Sequence, residues 1–405
     1  MPATLSLPRP GVRPRIAVVD MAVSSDSPAG SCVMAEIQGL AATFDVTVFS
    51  ERFDPCDMHG VEFVRVRAPD RPVLLRYLVF HLSVPVHYLA WWLRGGRAAC
   101  VQATQGQLPG AAICYAHFCH RGYLKRQWPG NSASGLRRIA RWAVHRFNAA
   151  CEARALRRAR WIVVPSRGLA REIAADYPAA AAKVRVIANP VAIEHFTRPV
   201  TFDRASARAS HGFDDSHIVL GFMALGDFAR KGLGLLLAAL ADLPGADRAA
   251  LRVLVIGGQA SEIAEFVRLA ADFGVEALVR FVGLQRDVRP FLWVCDVFAF
   301  PSSYETFGLA AAQAAAAGLP AMVCDGVHGV EEFIVDGHNG WVIARRHEAI
   351  VAWLARVLVD RSSMPCMGLA AAESVRPYAL PVFQARWLEL IAAVVRGDVP
   401  QPELA

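Results

Sequence analysis

Glu305 is the residue around which a chemistry can be built. It stands in Pro301-Ser302-Ser303-Tyr304-Glu305-Thr306-Phe307-Gly308-Leu309, which reads as a strand end, a glycine turn and the start of an alanine-rich helix running through Gln313 to Gly318-Leu319-Pro320. A helix start leaves backbone N–H groups without partners, here near Gly308 and Leu309, and carries the positive end of the helix dipole, so a phosphate is stabilised there. A carboxylate just before such a turn can grip sugar hydroxyls or stabilise developing positive charge. It can equally be a helix-start acid that only complements the dipole.

A second segment, Gly226-Asp227-Phe228-Ala229-Arg230-Lys231-Gly232, follows an apolar run, and a loop at the carboxyl end of a strand is where an open α/β sheet meets its ligand. Arg230 offers a planar fork to a diphosphate and Lys231 a point charge, so together they can neutralise a leaving group. The alternative is a solvated basic turn before the helix at Leu233–Leu240. A third loop, Asp325-Gly326-Val327-His328-Gly329-Val330-Glu331-Glu332, also follows a strand, and its glycines allow close backbone approach. Asp336-Gly337-His338-Asn339-Gly340 then reads as a turn into the next strand.

These loops need strands to end them. Short apolar runs alternate with helix-period stretches along the whole chain, the pattern of a parallel α/β sheet, and the pattern occurs twice. In the first half strands are expected at Arg15–Asp20, Asp45–Ser50, Val61–Val66, Ala99–Ala103, Ala111–Ala116 and Trp161–Pro165. In the second they fall at Ile218–Leu225, Leu251–Ile256, Val279–Val282, Val297–Phe300, Ala321–Cys324 and Trp341–Ile343, with the break around Asn189–Phe213. From Pro381, the residues Phe383, Trp387, Leu388, Leu390 and Ile391 form the stripe of a closing helix. The expected domains are 1–190, completed by 381–405, and 191–380.

A chain of 405 residues with 54% apolar content can bury two ordinary cores. Met1 to Pro14 lacks the continuous apolar core of a secretory signal, so a cytoplasmic protein is expected. The nine cysteines are scattered singly, which fits neither a disulfide framework nor a zinc site, and they are expected to be small buried hydrophobes. Val73–Leu93 is almost wholly apolar and near the ~20 residues of a membrane span. Arg76 inside it, Pro85 interrupting it, and its place as a crossover between two adjacent strands argue instead for burial or surface contact.

The net charge of +7 is local, because Arg121–Arg160 holds eleven Lys/Arg against one acid, Glu152. There Leu136, Ile139, Ala140, Ala143, Val144 and Phe147 share one helix face, while Arg137, Arg138, Arg141 and Arg146 fall elsewhere. Such a helix, with Trp128 or Trp142 at the interface, can lie on an anionic membrane surface, or it can pack on the core with a solvated basic outer face. No recognised nucleic-acid module accompanies the charge, so nucleic acid is not an expected partner.

Taken together, these residues resemble the family-4 (group 1) retaining glycosyltransferases, whose signature is a Glu, then Phe-Gly, a second acid eight residues after the first, and Gly-x-Pro closing the helix. Asn189-Pro190-Val191 looks like the interdomain marker, Arg230 and Lys231 like the diphosphate clamp, Phe281-Val282-Gly283 like the nucleobase strand, and Asp296 with Pro301-Ser302 also fits. The Phe-Ala-Arg-Lys-Gly clamp looks most like the bacterial lipopolysaccharide-core hexosyltransferases. Gln313 departs from the pattern, standing where the family usually has its second glutamate, the residue for the donor ribose. Charge assistance worth on the order of 1 kcal/mol is lost there, while hydrogen bonding is kept.

The resemblance implies two Rossmann-like domains facing a central cleft (GT-B type), with the C-terminal helix crossing back to the first domain. It implies transfer of a hexosyl unit, with retention and no obligatory metal or other cofactor, from a nucleotide sugar to a glycan or lipid-linked acceptor in bacterial cell-envelope or exopolysaccharide synthesis. Glu305, Arg230, Lys231 and His117 would be catalytic. Phe307, Gly308, Leu309, Gln313, Gly283 and Leu284 would bind the donor. Gly30, in Pro28-Ala29-Gly30-Ser31 where such enzymes often carry a Gly-Gly turn, would lie near donor and acceptor. His117, in Cys114-Tyr115-Ala116-His117-Phe118-Cys119-His120, is preferred over His120 for the position beside the sugar, a structural histidine being the alternative, and the Cys and His spacing makes no metal site. The enzyme would be cytoplasmic, peripheral on the inner face of the membrane through Arg121–Arg160. Two other readings stand beside this one: a nucleotide-sugar epimerase of similar architecture, and a non-catalytic member that binds nucleotide sugar or partners another transferase.

Overall fold

The structure, a computed structural model, describes residues 13–54, 58–130 and 135–400. Most of the Met1–Pro14 segment, Cys56, part of the basic segment (131–134) and the last five residues of the tail lie outside the described residues. Contacts divide the chain into two α/β units, one running to Pro190 and resuming at Leu380, the other Val191–Ala379.

Among the described residues the main sheet of the first unit has seven strands: β1 (Arg15–Val19), β2 (Asp45–Ser50), β3 (Val61–Arg65), β4 (Cys100–Thr104), β5 (Ile113–Tyr115), β6 (Trp161–Val164) and β7 (Val184–Val186). They lie in the order β3-β2-β1-β4-β5-β6-β7, every neighbouring pair parallel. Runs such as Ile-Ala-Val-Val in β1 are buried throughout, as a sheet covered on both faces requires. β7 was not expected from the sequence, because Val-Arg-Val is too short to stand out from its surroundings. A small two-stranded ribbon, Ala22–Val23 with Arg52–Phe53, sits beside the sheet.

Helix α1 (Pro28–Leu40) starts at a proline, with Ser27 accepting from the Gly30 N–H at 3.2 Å. Helix α2 (Val73–Leu93) joins β3 to β4, and here the expectation needs correction: those strands are neighbours in sequence but are separated in the sheet by β2 and β1. Helix α3 (Gly135–Arg158) carries the basic segment. Its early apolar face does not pack on the core, since Leu136 and Ile139 are exposed while Ala143, Val144 and Phe147 are half-buried.

In the second unit the strands are β8 (Ile218–Ala224), β9 (Leu251–Gly257), β10 (Val279–Gly283), β11 (Val297–Phe300), β12 (Ala321–Cys324) and β13 (Gly340–Ile343). Their order is β10-β9-β8-β11-β12-β13, again all parallel. Helix α4 (Leu309–Ala316) follows β11. The closing helix α5 (Leu380–Arg396) returns to the first unit, where Phe383, Trp387, Leu390 and Ile391 join a core with Ile16, Val33 and Ile37. All eight described cysteines are free; six are buried, Cys151 is half-buried and Cys366 is exposed.

Candidate active site

In the second sheet the chain passes outward from β8 to β9 and β10, then returns to β11 on the other side of β8. That reversal between β8 and β11 is the switch point at which open α/β sheets bind ligands, outside the carboxyl ends of the strands. Arg230 and Lys231 follow β8, and Glu305 follows β11. The sheet order thus places two cations and a carboxylate, 74 residues apart in sequence, on the two loops that flank the crevice.

Backbone geometry locks these loops together. Asp227 adopts a left-handed conformation (φ 62°) and leads into one helical turn, Phe228–Lys231, which ends at Gly232 (φ 83°). A Cβ on Gly232 would lie 2.2 Å from the Pro301 carbonyl oxygen, so only glycine lets the β8 loop rest on the β11 loop. The Ser303 N–H donates to the Arg230 carbonyl at 3.0 Å. On the other side a Cβ on Gly329 would lie 2.2 Å from the Phe307 Cα, which draws the third glycine-bearing loop against the same turn.

At the centre, the Lys231 ammonium forms a close ion pair with Glu305 Oε1. Ser302 Oγ donates to the same oxygen at 2.7 Å, and the Arg230 guanidinium lies 3.5 Å from it. Arg230 also donates to the Tyr304 carbonyl at 2.5 Å and pairs with Asp227 at 3.0 Å. The solvated-turn alternative does not match this geometry: the Lys231 and Glu305 side chains are only 15% and 12% exposed, and the ammonium sits 5.0 Å from the centre of the Phe300 ring. Burial pushes the Glu305 carboxyl up, but the charges of Lys231 and then Arg230, with hydrogen bonds from Lys231 and Ser302, outweigh it and hold the group below its ordinary value. Glu305 is therefore a carboxylate at neutral pH.

Gly308 (φ 81°) caps α4, whose first turn leads with the N–H groups of Leu309, Ala310 and Ala311; the first helical bond, Ala312 N–H to the Gly308 carbonyl, comes after them. Gln313 is half-buried one turn further on. Phe307 is buried, its ring 5.8 Å from that of Phe333 and 5.4 Å from that of Tyr378, so only its backbone can meet a ligand. Gly283 (φ 69°) ends β10, two strands from β8 in the same sheet, and Leu284 beside it is half exposed. Asp296, which the sequence pattern joins to the site, is a structural clamp: it pairs with Arg204 at 2.6 Å and Arg208 at 3.0 Å and accepts from the Val219 N–H.

His117 and Gly30 belong to the first unit. Packing explains Gly30, since a Cβ there would lie 1.8 Å from the Ala22 carbonyl oxygen, and its N–H is taken by Ser27. The His117 ring packs 3.9 Å from that of Tyr115, and its Nε2 is buried without a hydrogen bond. His120 is engaged instead, its Nδ1 3.1 Å from that of His145 and its N–H donating to Glu152. Among the described residues one cluster, Cys119, Glu172 and Asp176, is close enough to hold a metal ion, but the Arg126 guanidinium bonds both carboxylates at 2.6 Å and already supplies the cation. Sequence reading passed over Ser302 and Asp227 as individuals, because their value lies in partners that only the folded loops supply.

Burial pushes the His117 imidazole down to about 3, so it stays neutral in the folded chain, while the unfolded one takes a proton below about 6.5. Its contribution to stability is therefore full above that pH and falls on acidification, by up to about 1.4 kcal/mol per pH unit. His117→Gln is expected to flatten the fall of the thermal midpoint between pH 7 and pH 5. An unchanged slope would contradict a His117 ring held neutral with its Nε2 buried.

Two α/β units on parallel sheets, with cations and a carboxylate gathered at the switch point of the second, have the fold of the GT-B class. The chain belongs to the family-4 (group 1) glycosyltransferases: residues 29–195 match Glycosyltransferase Family 4, and residues 203–373 match Glycosyl transferases group 1. The lipopolysaccharide core biosynthesis glycosyltransferase LpsE of Rhizobium meliloti is 34% identical over 207 residues, 48% of this chain and 55% of the relative. The chain thus spans about half the length of the curated relatives it matches. In fold it is similar to WaaG, a glycosyltransferase involved in lipopolysaccharide biosynthesis, with a TM-score of 0.74 at 21% identity over 94% of this chain and 100% of that one. It is likewise similar to Anabaena HepE in complex with UDP and glucose, with a TM-score of 0.72 at 15% identity over 94% and 100%.

Proposed function

We propose that this chain is a retaining, metal-independent hexosyltransferase, moving a hexosyl unit from a nucleoside-diphosphate sugar to a glycan or lipid-linked acceptor in bacterial cell-envelope or exopolysaccharide synthesis. One observation carries the reading: Arg230, Lys231 and Glu305 gather at the switch point beside the start of α4. A diphosphate brought there competes with Glu305 for both cations. As the bond from the anomeric carbon to the phosphate oxygen breaks, Arg230 and Lys231 neutralise the charge growing on the departing diphosphate. Their two positive charges do the work that a divalent ion does in metal-dependent transfer.

Glu305, released toward the sugar, accepts its hydroxyls and faces the positive charge developing at the anomeric carbon. The N–H groups around Phe307–Leu309 hold phosphate or sugar oxygens, Gln313 the ribose, Gly283 and Leu284 the nucleobase end, and His117 stands beside the sugar. The acceptor oxygen bonds the anomeric carbon on the face the diphosphate leaves, and its proton departs with the diphosphate. The protein acts in the cytoplasm, on the inner face of the membrane when its acceptor is lipid-linked. The UDP and glucose in HepE and the lipopolysaccharide roles of LpsE and WaaG support this substrate class.

The test is release of nucleoside diphosphate from a panel of UDP-, GDP- and ADP-hexoses with glycolipid extract as acceptor, with and without EDTA, and NMR of the new linkage. One donor consumed, no effect of EDTA and an unchanged anomeric configuration are expected. Inversion, loss of turnover in EDTA, or recovery of an epimerised donor would each overturn the reading. Gln313→Glu restores charge assistance at the ribose and is expected to tighten donor binding about fivefold, corresponding to roughly 1 kcal/mol. Calorimetric titration checks this, and an unchanged affinity would place Gln313 away from the ribose.

A further inference from the structure

The helix α2 is long and apolar enough to cross a membrane, yet it is fastened along one side and bare along the other. Phe80, Val84 and Trp91 are buried in a core with Phe49, and Arg76 pairs with the nearly buried Glu51 at 2.8 Å. These contacts tie the helix to its sheet, so it does not span. The opposite side is a stripe at Leu75, Leu82, Val86, Leu89 and Leu93, the spacing of one helix face, with Leu82 72% and Leu93 69% exposed. A core helix of this composition would hide such a stripe; here 11% of its most apolar stretch is buried. At ~1.5 Å per residue it offers an apolar ridge about 30 Å long, large for a soluble surface.

Charge frames the ridge. No Asp, Glu, Lys or Arg lies between Arg76 and Arg94, and Arg71, Arg94 and Arg97 stand just beyond its ends. Helix α3 packs beside α2, with the Phe147 ring 5.1 Å from that of His81. Its first turns add exposed Leu136, Ile139 and Trp142 among exposed Arg137 and Arg141. An apolar strip with an indole at its margin and cations around it is the chemistry of a helix lying in the interface of an anionic bilayer. A second copy of the chain is a poorer match, because a two-fold contact through this surface would set the arginines of α3 against their own copies.

We infer that α2 and the first half of α3 form one membrane-docking surface, in which the α2 ridge enters the acyl boundary of a bilayer and the α3 arginines meet anionic phospholipid headgroups. This deepens the proposed function by assigning the membrane partner to a surface led by α2, not by the basic segment alone. Vesicle binding is read without donor or acceptor, so its failure and that of the transfer reading are separable.

The full chain is sedimented with vesicles of phosphatidylcholine, alone or with 30% phosphatidylglycerol, at low and high salt. Binding is expected to be at least tenfold stronger to the anionic vesicles and to weaken with salt. Leu82→Ser/Leu89→Ser is expected to lose most binding to both vesicles. Arg137→Ala/Arg141→Ala should lose about 30-fold on anionic vesicles and little on neutral ones. All four positions are exposed, so the thermal midpoint should hold, and midpoint and light scattering are recorded for each variant. Absence of binding by the wild type, binding untouched by the leucine substitutions, or a dimer that those substitutions dissociate would each overturn the proposal.

Discussion

Lys231→Ala is expected to lower kcat/KM by about 100- to 1000-fold, the range for removing one preorganised group aimed at developing charge. The same change leaves the Glu305 carboxylate, 12% exposed, with Ser302 and the more distant Arg230, so the second unit should lose on the order of 2 kcal/mol as well. The two effects separate in a double variant. Lys231→Ala/Glu305→Gln removes the uncompensated charge and should regain most of the stability while remaining inactive. Recovery of activity along with stability would show that the pair only holds the loops together.

Acid sensitivity should follow the same pair. Glu305 is held below its ordinary value in the folded chain, so the pair's contribution is present above the unfolded carboxyl value and is lost as pH falls through the folded one. The wild type is therefore expected to keep this contribution at pH 5. In Lys231→Ala the largest opposing charge is gone and burial raises the carboxyl, so protonation relieves the buried charge, and the variant's deficit in thermal midpoint should narrow as pH falls from 7 to 5.

Gly232→Val is expected to have the largest effect on folding of any single change in the site, about 3 kcal/mol or more. Gly232 sits at φ 83°, which a β-branched residue adopts only under strain, and its Cβ would meet the Pro301 carbonyl oxygen at 2.2 Å. The backbone on both sides is held: Phe228 is buried with its N–H on Glu262, and Arg345 donates to the Pro301 carbonyl at 3.0 Å. Relief must come from moving the β11 loop, which carries Glu305 away from Lys231. Loss of donor binding should accompany the fall in thermal midpoint. Gly245→Val, at a glycine with open space around its Cβ, is the control expected to leave both nearly unchanged.

Much of this was legible in the sequence because the relevant signals are local. Runs such as Ile218–Ala224 and Val297–Phe300 can be little other than buried parallel strands, and the strand, glycine turn and helix in succession around Glu305 can be read from residue types alone. What local signals cannot carry is sheet order. That α2 crosses two strands, and that Lys231 meets Glu305 across 74 residues, depend on which strands pair. Burial of one face is equally non-local: α3 has an amphipathic pattern, but whether Leu136 and Ile139 face core or solvent is decided by what packs there. Gly30 shows the same limit from the other side, since the packing of the Ala22 carbonyl against it, which by itself demands glycine, is invisible in the sequence.

The most direct test is the thermal stability of the purified protein across a panel of nucleotide sugars, wild type against Arg230→Ala/Lys231→Ala, comparing the increment each ligand adds. A donor at about 100 times its dissociation constant should add roughly 2.7 kcal/mol to the wild type. One donor giving that increment in the wild type and none in the double variant is the predicted result. An equal increment in both proteins, or none from any donor at millimolar concentration, would contradict a nucleotide-sugar site at the switch point.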